Sequence, residues 1–385
     1  MYEAFLGRNK MLLHNPGLTK YKGKRVVKIV REFSNHHTSP MNVYFLIPGD
    51  TESKTGGYLY NKHVATELVK QGVPLAVVKL PGNYPNAPAR DIAEVERAIL
   101  SCKKDSILIV DGLAGASLAA LFKKFVGRYT FLYLEHLPVF FESDDVLLQE
   151  KEKEGLNTVH HVIATSHFCK KTLVEWGIKT AITVIEPAIS LPGRKKQYHS
   201  RVQKILSVGS MTARKGHHIL AEALSSIGEE DWHWTICGEI DETRDYYLHF
   251  LQKTKQGGID HKITLTGPVE EPVIREHYEA SDLLVSAALS ETYGMAVMEA
   301  LHFGLPVLCP SISPFTDQIE QKNALWFEPG DIQGLTERLK RTILEPPFYQ
   351  KIREELTEGS QSTRKWEEAA AEFVKVMEKF QTAKK

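Results

Sequence analysis

The sequence lacks the features that mark several large classes of protein. No apolar run approaches the ~20 residues of a membrane-spanning helix, and the N-terminus has no apolar signal-peptide core. The 48 basic and 48 acidic side chains balance to a net charge of zero, which gives no support to nucleic-acid binding. The four cysteines are far apart and form no C-x-x-C pair, so we expect reduced, buried thiols of a cytoplasmic protein.

Length and composition predict a soluble globular protein with two domains. A chain of 385 residues is too long for one ordinary core, and proline and glycine are not in excess. Residues 1–40 are unusually basic, because their eight Lys and Arg face only Glu3 and Glu32. This basic extension predicts either a solvated arm or contact with an anionic membrane surface, where each cation adds about 1 kcal/mol.

The stretch 290–304, S-E-T-Y-G-M-A-V-M-E-A-L-H-F-G, organises the rest of the chain. Apolar runs at 283–287 and 306–310 flank it and are typical of strands buried on both faces of a parallel sheet. Between them, the apolar residues favour a helix, which Gly304 would end in the left-handed conformation. The unit is predicted to be strand, turn, helix, strand.

The start of that helix is a candidate phosphate site. Its first turn, Tyr293–Gly294–Met295, would offer unpaired N–H groups, and Gly294 has no Cβ to keep a phosphate away. Glu291 lies before the helix and Glu299 within it, so both carboxylates could accept hydrogen bonds from sugar or ribose hydroxyls. The structural alternative is that Glu291 only complements the helix dipole and that Glu299 points to water.

The residues E-T-Y-G-M-A-V-M-E, followed by A-L-x-x-G-L-P-V, resemble the E-x7-E signature of retaining glycosyltransferases of family 4. A second segment, S-V-G-S-M-T-A-R-K-G-H, resembles the family's G-R-x(n)-K-G phosphate segment. An arginine usually follows the first glycine of that segment. Here Ser210 stands in its place, and Arg214 and Lys215 remain as the cations. The alternative is a solvated basic turn.

The resemblance implies an α/β protein of the GT-B fold, in which two Rossmann-like, doubly wound parallel-sheet domains face each other across a cleft. In the first half, strands and helices alternate from residue 43 to residue 185, which itself predicts a parallel sheet covered on both faces. Ligands bind such sheets beyond the carboxyl ends of strands. The residues expected there are Asp50, Gly57, Asp111, His136 and Ser166.

Three of these residues have a specific expectation. Gly57 opens a helix after a strand, as in the family's G-G loop that faces the donor diphosphate and the acceptor. His136 directly follows an apolar strand and matches a family histidine, although a lone histidine there is often structural. Asp111 is expected on the acceptor side together with Asp50, although Asp–Gly is also ordinary turn chemistry.

Residues 187–200 have the composition of a linker, and a second alternating set follows them. We expect a basic extension over 1–40, an acceptor-binding domain over 41–190 and a nucleotide-sugar domain over 200–360. A last helix over 361–385 would cross back to the first domain, as the resemblance implies. Strands that end at Gly209, Gly238 and Gly267 predict a second crevice built from backbone.

The resemblance also implies the roles of individual residues. Glu291 would hold the transferred sugar, Glu299 the ribose, and His136 the sugar from the opposite domain. The catalytic candidates are His136, Glu291, Lys215 and Arg214. The donor-binding candidates are Gly57, Gly209, Ser210, Arg214, Lys215, Gly238, Val269, Glu291, Tyr293, Gly294, Met295 and Glu299.

No metal ion or other cofactor is expected. Many transferases hold a metal with an Asp-x-Asp pair, but Asp144 and Asp145 are adjacent and lie in a predicted polar helix. The helix start at Gly294, with Lys215 and Arg214, could stabilise a departing diphosphate instead.

The sequence therefore predicts a retaining, metal-independent glycosyltransferase that moves a hexose from a UDP- or GDP-sugar to a hydroxyl group. The acceptor would be a glycan, a lipid-linked molecule or a small molecule, in glycan, glycolipid or cell-surface polysaccharide synthesis. The protein would be cytoplasmic, with peripheral contact to the inner membrane surface through the basic extension. Two alternatives stay open: a hydrolysing sugar-nucleotide epimerase, and a sugar-nucleotide-binding or partner subunit, which Ser210 favours. A phosphorylase would need a Schiff-base lysine and a far longer chain.

Overall fold

The structure, a computed structural model, describes residues 29–31, 41–49, 55–137, 143–189, 199–228, 230–357 and 364–382. Their strands form two separate sheets, of seven and six strands. Most of the basic extension and Asp50 lie outside the described residues. The prediction of two doubly wound domains is confirmed.

The first sheet has the order β1-β3-β2-β4-β5-β6-β7 and is parallel except for the edge pairing of β1 with β3. Its strands are β1 (Ile29–Arg31), β2 (Val43–Pro48), β3 (Leu75–Leu80), β4 (Ile107–Asp111), β5 (Thr130–Glu135), β6 (His161–Ala164) and β7 (Ile182–Val184). The helices between them are α1 (Gly56–Lys70), α2 (Ala89–Ser101), α3 (Gly112–Phe125), α4 (Val146–Thr158) and α5 (His167–Glu175).

The second sheet is parallel and has the order β10-β9-β8-β11-β12-β13. Its strands are β8 (Lys204–Val208), β9 (His233–Cys237), β10 (Ile263–Gly267), β11 (Leu283–Val285), β12 (Val307–Pro310) and β13 (Leu325–Phe327). The helices here and beyond are α6 (His217–Ser225), α7 (Asp245–Gln256), α8 (Glu271–Ala280), α9 (Met295–His302), α10 (Phe315–Gln318), α11 (Ile332–Leu344), α12 (Pro346–Thr357) and α13 (Trp366–Thr382).

The strand sequences explain why the first sheet is covered on both faces. All five residues of β4 are buried, and alternate side chains enter different cores. Leu108 and Val110 pack into the cluster that contains Phe122, whereas Ile107 and Ile109 pack into the cluster that contains Phe373. Side chains point to opposite faces of a strand with a period of two, so a strand covered on both faces must be apolar throughout.

The last helix, α13, packs against α1 of the first domain. Trp366 stacks on His63 with ring centroids 4.8 Å apart and meets the edge of Tyr60 at 5.4 Å. Just before the helix, Arg364 Nε donates a hydrogen bond of 3.1 Å to the carbonyl of Glu186. The chain therefore crosses between the domains at two neighbouring places.

Several predicted boundaries differ from the structure. The three-residue strand β1 lies inside the predicted extension and belongs to the first sheet, so the predicted start at residue 41 misses it. Such short edge strands carry too little periodicity to be recognised, and the same holds for β13. Helix α4 starts at Val146 rather than at residue 142, because Asp145 caps it by accepting hydrogen bonds from the N–H groups of Leu147 and Leu148.

The sheet order determines where the cleft lies. Successive strands are added first on one side of β2 and then, from β4 onward, on its other side; in the second sheet the same switch lies between β8 and β11. Crevices form at such switch points, beyond the carboxyl ends of the strands. Among the described residues, the structure contains no helix with both the length and the apolar character to cross a bilayer.

Candidate active site

A cavity of ≈ 500 Å³ lies between the two domains at these strand ends. One wall comes from the first domain, from the start of α1 and the ends of β4, β5 and β6. The other wall comes from the loops after β8, β9 and β11 and from the first turns of α9.

Two cations and one carboxylate meet on the second-domain wall. The Lys215 ammonium forms an ion pair with Glu291 Oε1, and Arg214 Nη1 lies 3.5 Å from Glu291 Oε2. Arg214 also donates a hydrogen bond of 3.1 Å to the carbonyl of Ser290. The side chains of Lys215 and Arg214 are 20% and 25% exposed, so an anion in the cleft can still reach them.

Glycine makes this arrangement sterically possible. Gly216 has φ +67°, and a Cβ there would lie 1.9 Å from the carbonyl oxygen of Ala287. The turn that carries Lys215 therefore sits directly on the loop after β11, where the Leu289 N–H donates to the Arg214 carbonyl at 2.8 Å. On the neighbouring strand, a Cβ on Gly238 would lie 2.0 Å from the carbonyl oxygen of Gly209.

Two helix starts face each other across the cleft. Gly294 precedes α9 with φ +84°, and a Cβ there would collide with the Phe315 ring at 2.0 Å. Neither Gly294 nor Thr55, which precedes α1, caps its helix with a side chain. A Cβ on Gly56 would lie 3.6 Å from Met295 Sδ, which shows how closely the two starts approach. Uncapped helix starts present N–H groups and partial positive charge to an anion.

Glu299 lies deeper on the second-domain wall, within α9. Its Oε2 accepts a hydrogen bond of 2.7 Å from the hydroxyl of Tyr278, which is buried and stacks on Phe303. Burial raises the pKa of Glu299 to about 7, although the Tyr278 hydrogen bond acts in the opposite direction. Glu299 therefore lines the cleft and is held in place, rather than pointing to bulk water.

The first-domain wall is built around Asp111, which ends β4 and is 3% exposed. Its carboxylate accepts hydrogen bonds from Asn61 Nδ2 and, at 2.8 Å, from the N–H of Leu113, and His136 Nε2 lies 3.4 Å away. Burial alone would raise the pKa of Asp111, but His136 and these hydrogen bonds together lower it. The carboxylate is thus directed mainly at its own domain.

His136 joins the two walls. Its carbonyl accepts a hydrogen bond of 2.9 Å from the hydroxyl of Thr292 in the second domain. A Cβ on Gly57 would lie 3.5 Å from the His136 ring, so the start of α1 packs beside it. A second cross-domain contact places the Tyr293 hydroxyl 3.5 Å from the carbonyl of Pro187.

The structure brings most of the predicted site residues into this one cavity. They are Gly57, Asp111, His136, Gly209, Ser210, Arg214, Lys215, Gly238, Glu291, Tyr293, Gly294, Met295 and Glu299.

Three other residues that were expected at the site are not among those that line the cavity. Val269 does not line the cavity, because its side chain packs against the apolar cluster around Phe303. Ser166 is buried, and its hydroxyl caps α5 by accepting from the Cys169 N–H at 2.9 Å. Asp50 lies outside the described residues.

Among the residues that were not anticipated, three form a hydrogen bond to a predicted site residue: Asn61, Tyr278 and Thr292. Asn61 follows Gly57 by four residues, a spacing that places both on one face of α1 and could have signalled it. Tyr278 and Thr292 carry no comparable local signal, since their partners, Glu299 and His136, come from other elements. In the part of the chain that the structure describes, no group of three or more His, Cys, Asp or Glu side chains is arranged to hold a metal ion.

Comparison with known proteins follows the same division of the chain. Residues 194–359, the second domain, match the family described as Glycosyl transferases group 1. An uncharacterized glycosyltransferase of Methanocaldococcus jannaschii is 25% identical over 45% of this chain and 44% of its own length. An uncharacterized glycosyltransferase of Haemophilus influenzae is 22% identical over 74% of this chain and 86% of its own length. The first of these matches therefore spans less than half of the relative.

Solved structures match over both domains. Sucrose-phosphate synthase from Thermosynechococcus elongatus has a TM-score of 0.74 at 17% identity, covering 89% of this chain and all of that one. Anabaena Alr3699/HepE, solved with UDP and glucose, has a TM-score of 0.68 at 16% identity, covering 88% of this chain and all of that one. The second domain is thus similar to the group 1 glycosyltransferases, and the chain has the GT-B fold, which confirms the predicted fold.

Proposed function

We propose that this protein is a retaining, metal-independent glycosyltransferase of family 4, which transfers a hexose from a UDP- or GDP-sugar to a hydroxyl group. One observation carries the proposal. Lys215, Arg214 and two uncapped helix starts converge on one cleft, opposite His136. Two cationic side chains beside helix N–H groups suit a nucleoside diphosphate as leaving group.

The diphosphate would bind at the start of α9 and draw Lys215 and Arg214 away from Glu291. In the empty cleft, both cations pair with the Glu291 carboxylate, so neither charge is isolated. An incoming diphosphate would compete with Glu291 for them. Arg214 would form a two-pronged contact and Lys215 a point-charge contact. In this arrangement Arg214 carries the charge that the family's usual arginine supplies at the position of Ser210.

The released Glu291 would then accept hydrogen bonds from the transferred sugar, and His136 would contact the same sugar from the opposite domain. Glu299, held by Tyr278, would accept hydrogen bonds from the ribose hydroxyls. The contact between Thr292 and the His136 carbonyl brings the two walls together, so domain closure would exclude water that could hydrolyse the donor.

The reaction would break the bond between the anomeric carbon and the diphosphate oxygen. The acceptor hydroxyl would form the new bond on the same face of the sugar, and its proton would pass to the departing phosphate oxygen. The configuration of the anomeric carbon is then retained. Lys215, Arg214 and the N–H groups at the start of α9 would stabilise the charge that develops on the leaving phosphate.

The solved complex of Alr3699/HepE with UDP and glucose makes UDP-glucose the first donor to test. The acceptor proposed is a glycan, a lipid-linked molecule or a small molecule. We propose that the protein works in the cytoplasm, and that its basic residues 1–40 contact the inner membrane surface.

A panel of UDP-, GDP- and ADP-sugars, measured by thermal shift, tests donor binding. A ligand at 100 times its Kd should add about 2.7 kcal/mol to stability. Product analysis by nuclear magnetic resonance, with and without EDTA, then tests transfer, the retained configuration and metal independence. Loss of turnover in EDTA, or binding outside the cleft, would contradict the proposal.

The same assay separates the two alternatives. A hydrolysing epimerase would release free nucleotide in the absence of any acceptor. A sugar-nucleotide-binding or partner subunit, which Ser210 favours, would bind the donor without turnover. A Ser210→Arg variant tests that second reading, because a subunit that lacks only this cation should gain transferase activity.

A further inference from the structure

The turn that presents His136 to the cleft has an unusual backbone. Leu137, directly after His136, adopts φ +58° and is completely buried. Non-glycine residues rarely adopt this left-handed conformation, which costs about 1–3 kcal/mol and persists only where the surroundings enforce it. The conformation of this turn therefore needs an anchor.

Glu135 supplies that anchor from beneath the turn. It ends β5, is 0% exposed, and its Oε1 accepts a hydrogen bond from the N–H of Leu137. Gly112 leaves room for the carboxylate, since a Cβ there would lie 3.1 Å from Glu135 Oε1 and 2.8 Å from the carbonyl oxygen of Leu134. The turn is thus held on its inner side by Glu135 and on its outer side by Thr292, which bonds the His136 carbonyl.

A second buried acid, Glu152 of α4, faces Glu135. Both are 0% exposed, and three of their four carboxyl oxygens have no hydrogen-bond partner among the described residues. Burial, and after it the Glu135 charge, raises the pKa of Glu152 to about 10. Burial likewise raises the pKa of Glu135 to about 7, against the opposing effects of His136 and of the N–H groups of Leu137 and His136. At neutral pH, Glu152 is therefore protonated and the pair carries at most one negative charge.

We propose that Glu135 is a positioning residue for His136: its buried carboxyl group fixes the left-handed turn at Leu137. The assignment of His136 to the donor sugar rests on the proposed function. The anchoring of the turn does not.

The other titratable groups around Glu135 are consistent with this role. His136 lies on its cleft side, and Asp111 adds a repulsive negative charge. Tyr133 and Cys169 are buried nearby with pKa values raised by burial, so they stay neutral. Of these groups, the His136 ring favours the ionised form of Glu135, whereas Asp111 opposes it.

The Leu137 amide gives a direct test by ¹⁵N nuclear magnetic resonance of the full chain, without any ligand. In the wild type, its signal should titrate near pH 7 as Glu135 ionises, because the acceptor of its hydrogen bond gains charge. In Glu135→Gln, an amide oxygen still accepts, so the signal should be in place but should lose the part of the pH response that comes from Glu135. A Leu137 signal that is unchanged both by pH in the wild type and by the Glu135→Gln substitution would overturn the anchoring role.

Substitutions test whether the anchor positions His136. Glu135→Leu removes the acceptor, so Kd for UDP-glucose should rise about tenfold while Kd for UDP alone changes less than about twofold. Glu135→Gln should stay within about threefold of wild type for both ligands.

The substitutions separate the positioning role of Glu135 from a general loss of binding. Equal losses for UDP and UDP-glucose, or Glu135→Gln behaving like Glu135→Leu, would overturn the positioning role. If Glu135→Leu does not fold, the Leu137 titration in wild type and Glu135→Gln decides the matter. If the wild type binds no sugar nucleotide at all, the proposed function fails, and the titration still tests the anchor.

Discussion

The two walls of the cleft are built in different ways. On the second-domain wall, Glu291, Gly294 and Glu299 come from one stretch of nine residues, and Lys215 reaches them from a single further turn. On the first-domain wall, Asn61, Asp111 and His136 come from three separate elements, and their contacts connect α1, β4 and β5. A wall made from a contiguous motif can be recognised locally, whereas a wall made by packing cannot.

Their charges differ too. The second-domain wall presents the neighbouring cations Arg214 and Lys215 and a helix start to the cleft, so it is suited to bind an anion. On the first-domain wall, the buried Asp111 carboxylate is held by the Leu113 N–H and lies beside the His136 ring, so this wall is suited to orient the histidine side chain. The predictions below test this contrast between a binding wall and a positioning wall.

The largest effect is expected for Lys215→Ala. Removal of a cation that we propose stabilises the leaving diphosphate should lower kcat by about 10²- to 10³-fold, with a smaller loss of donor affinity. Steady-state kinetics and nucleotide titration measure the two effects separately. Lys253→Ala is the matched control, because Lys253 forms an exposed ion pair with Glu222 outside the cavity. A kcat for Lys215→Ala within about threefold of that control would exclude Lys215 from the binding wall.

A smaller loss is expected for Asp111→Asn on the positioning wall. The neutral amide no longer holds His136 by charge, so kcat/KM should fall about tenfold while the fold and the affinity for UDP persist. The double variant with His136→Ala provides the decisive measurement. If Asp111 acts through His136, the double variant should be no worse than His136→Ala alone, whereas additive losses would point to direct contact with the acceptor.

Glu299 should show an effect on affinity rather than on turnover. Glu299→Ala should raise Kd for UDP about tenfold, and 2′-deoxy-UDP should bind the wild type and the variant almost equally. Because the pKa of Glu299 lies at about 7, its protonated fraction grows as the pH falls below 7, and UDP binding should weaken there. Glu299→Gln should remove this pH dependence. UDP affinity that is identical in all three forms of the protein would remove Glu299 from the ribose site.

The smallest effect, on stability, is expected for Glu152→Gln. The folded-state pKa of about 10 lies above the ordinary value of 4.5, so the folded protein holds this proton more tightly than the unfolded chain. Stability is therefore lost as the pH rises from about 4.5 toward 10. The variant has no such proton, so its Tm should exceed that of the wild type by a few degrees at pH 9 and not at pH 5. A Tm difference that is independent of pH would show that Glu152 is not the titrating group.

Much of the fold could be predicted because its signals are local. Continuous apolar runs such as 107–110 identify strands covered on both faces, and Gly304, with φ +67°, ends α9 where the pattern indicated. Other features have no such hydrophobic pattern. They are helix boundaries set by a capping side chain, such as Asp145 before α4, and three-residue strands such as β1 and β13.

The sequence by itself determined the alternation of strands and helices and the motif from Glu291 to Glu299, because hydrophobic period and glycine positions act over a few residues. Only the tertiary structure decided that the Tyr278 hydroxyl donates to Glu299, that Asp111 lies beside His136, and that Glu135 accepts a hydrogen bond from the Leu137 N–H. Those contacts join residues from different elements or depend on burial. Burial is a property of the packed interior, and no local pattern carries it.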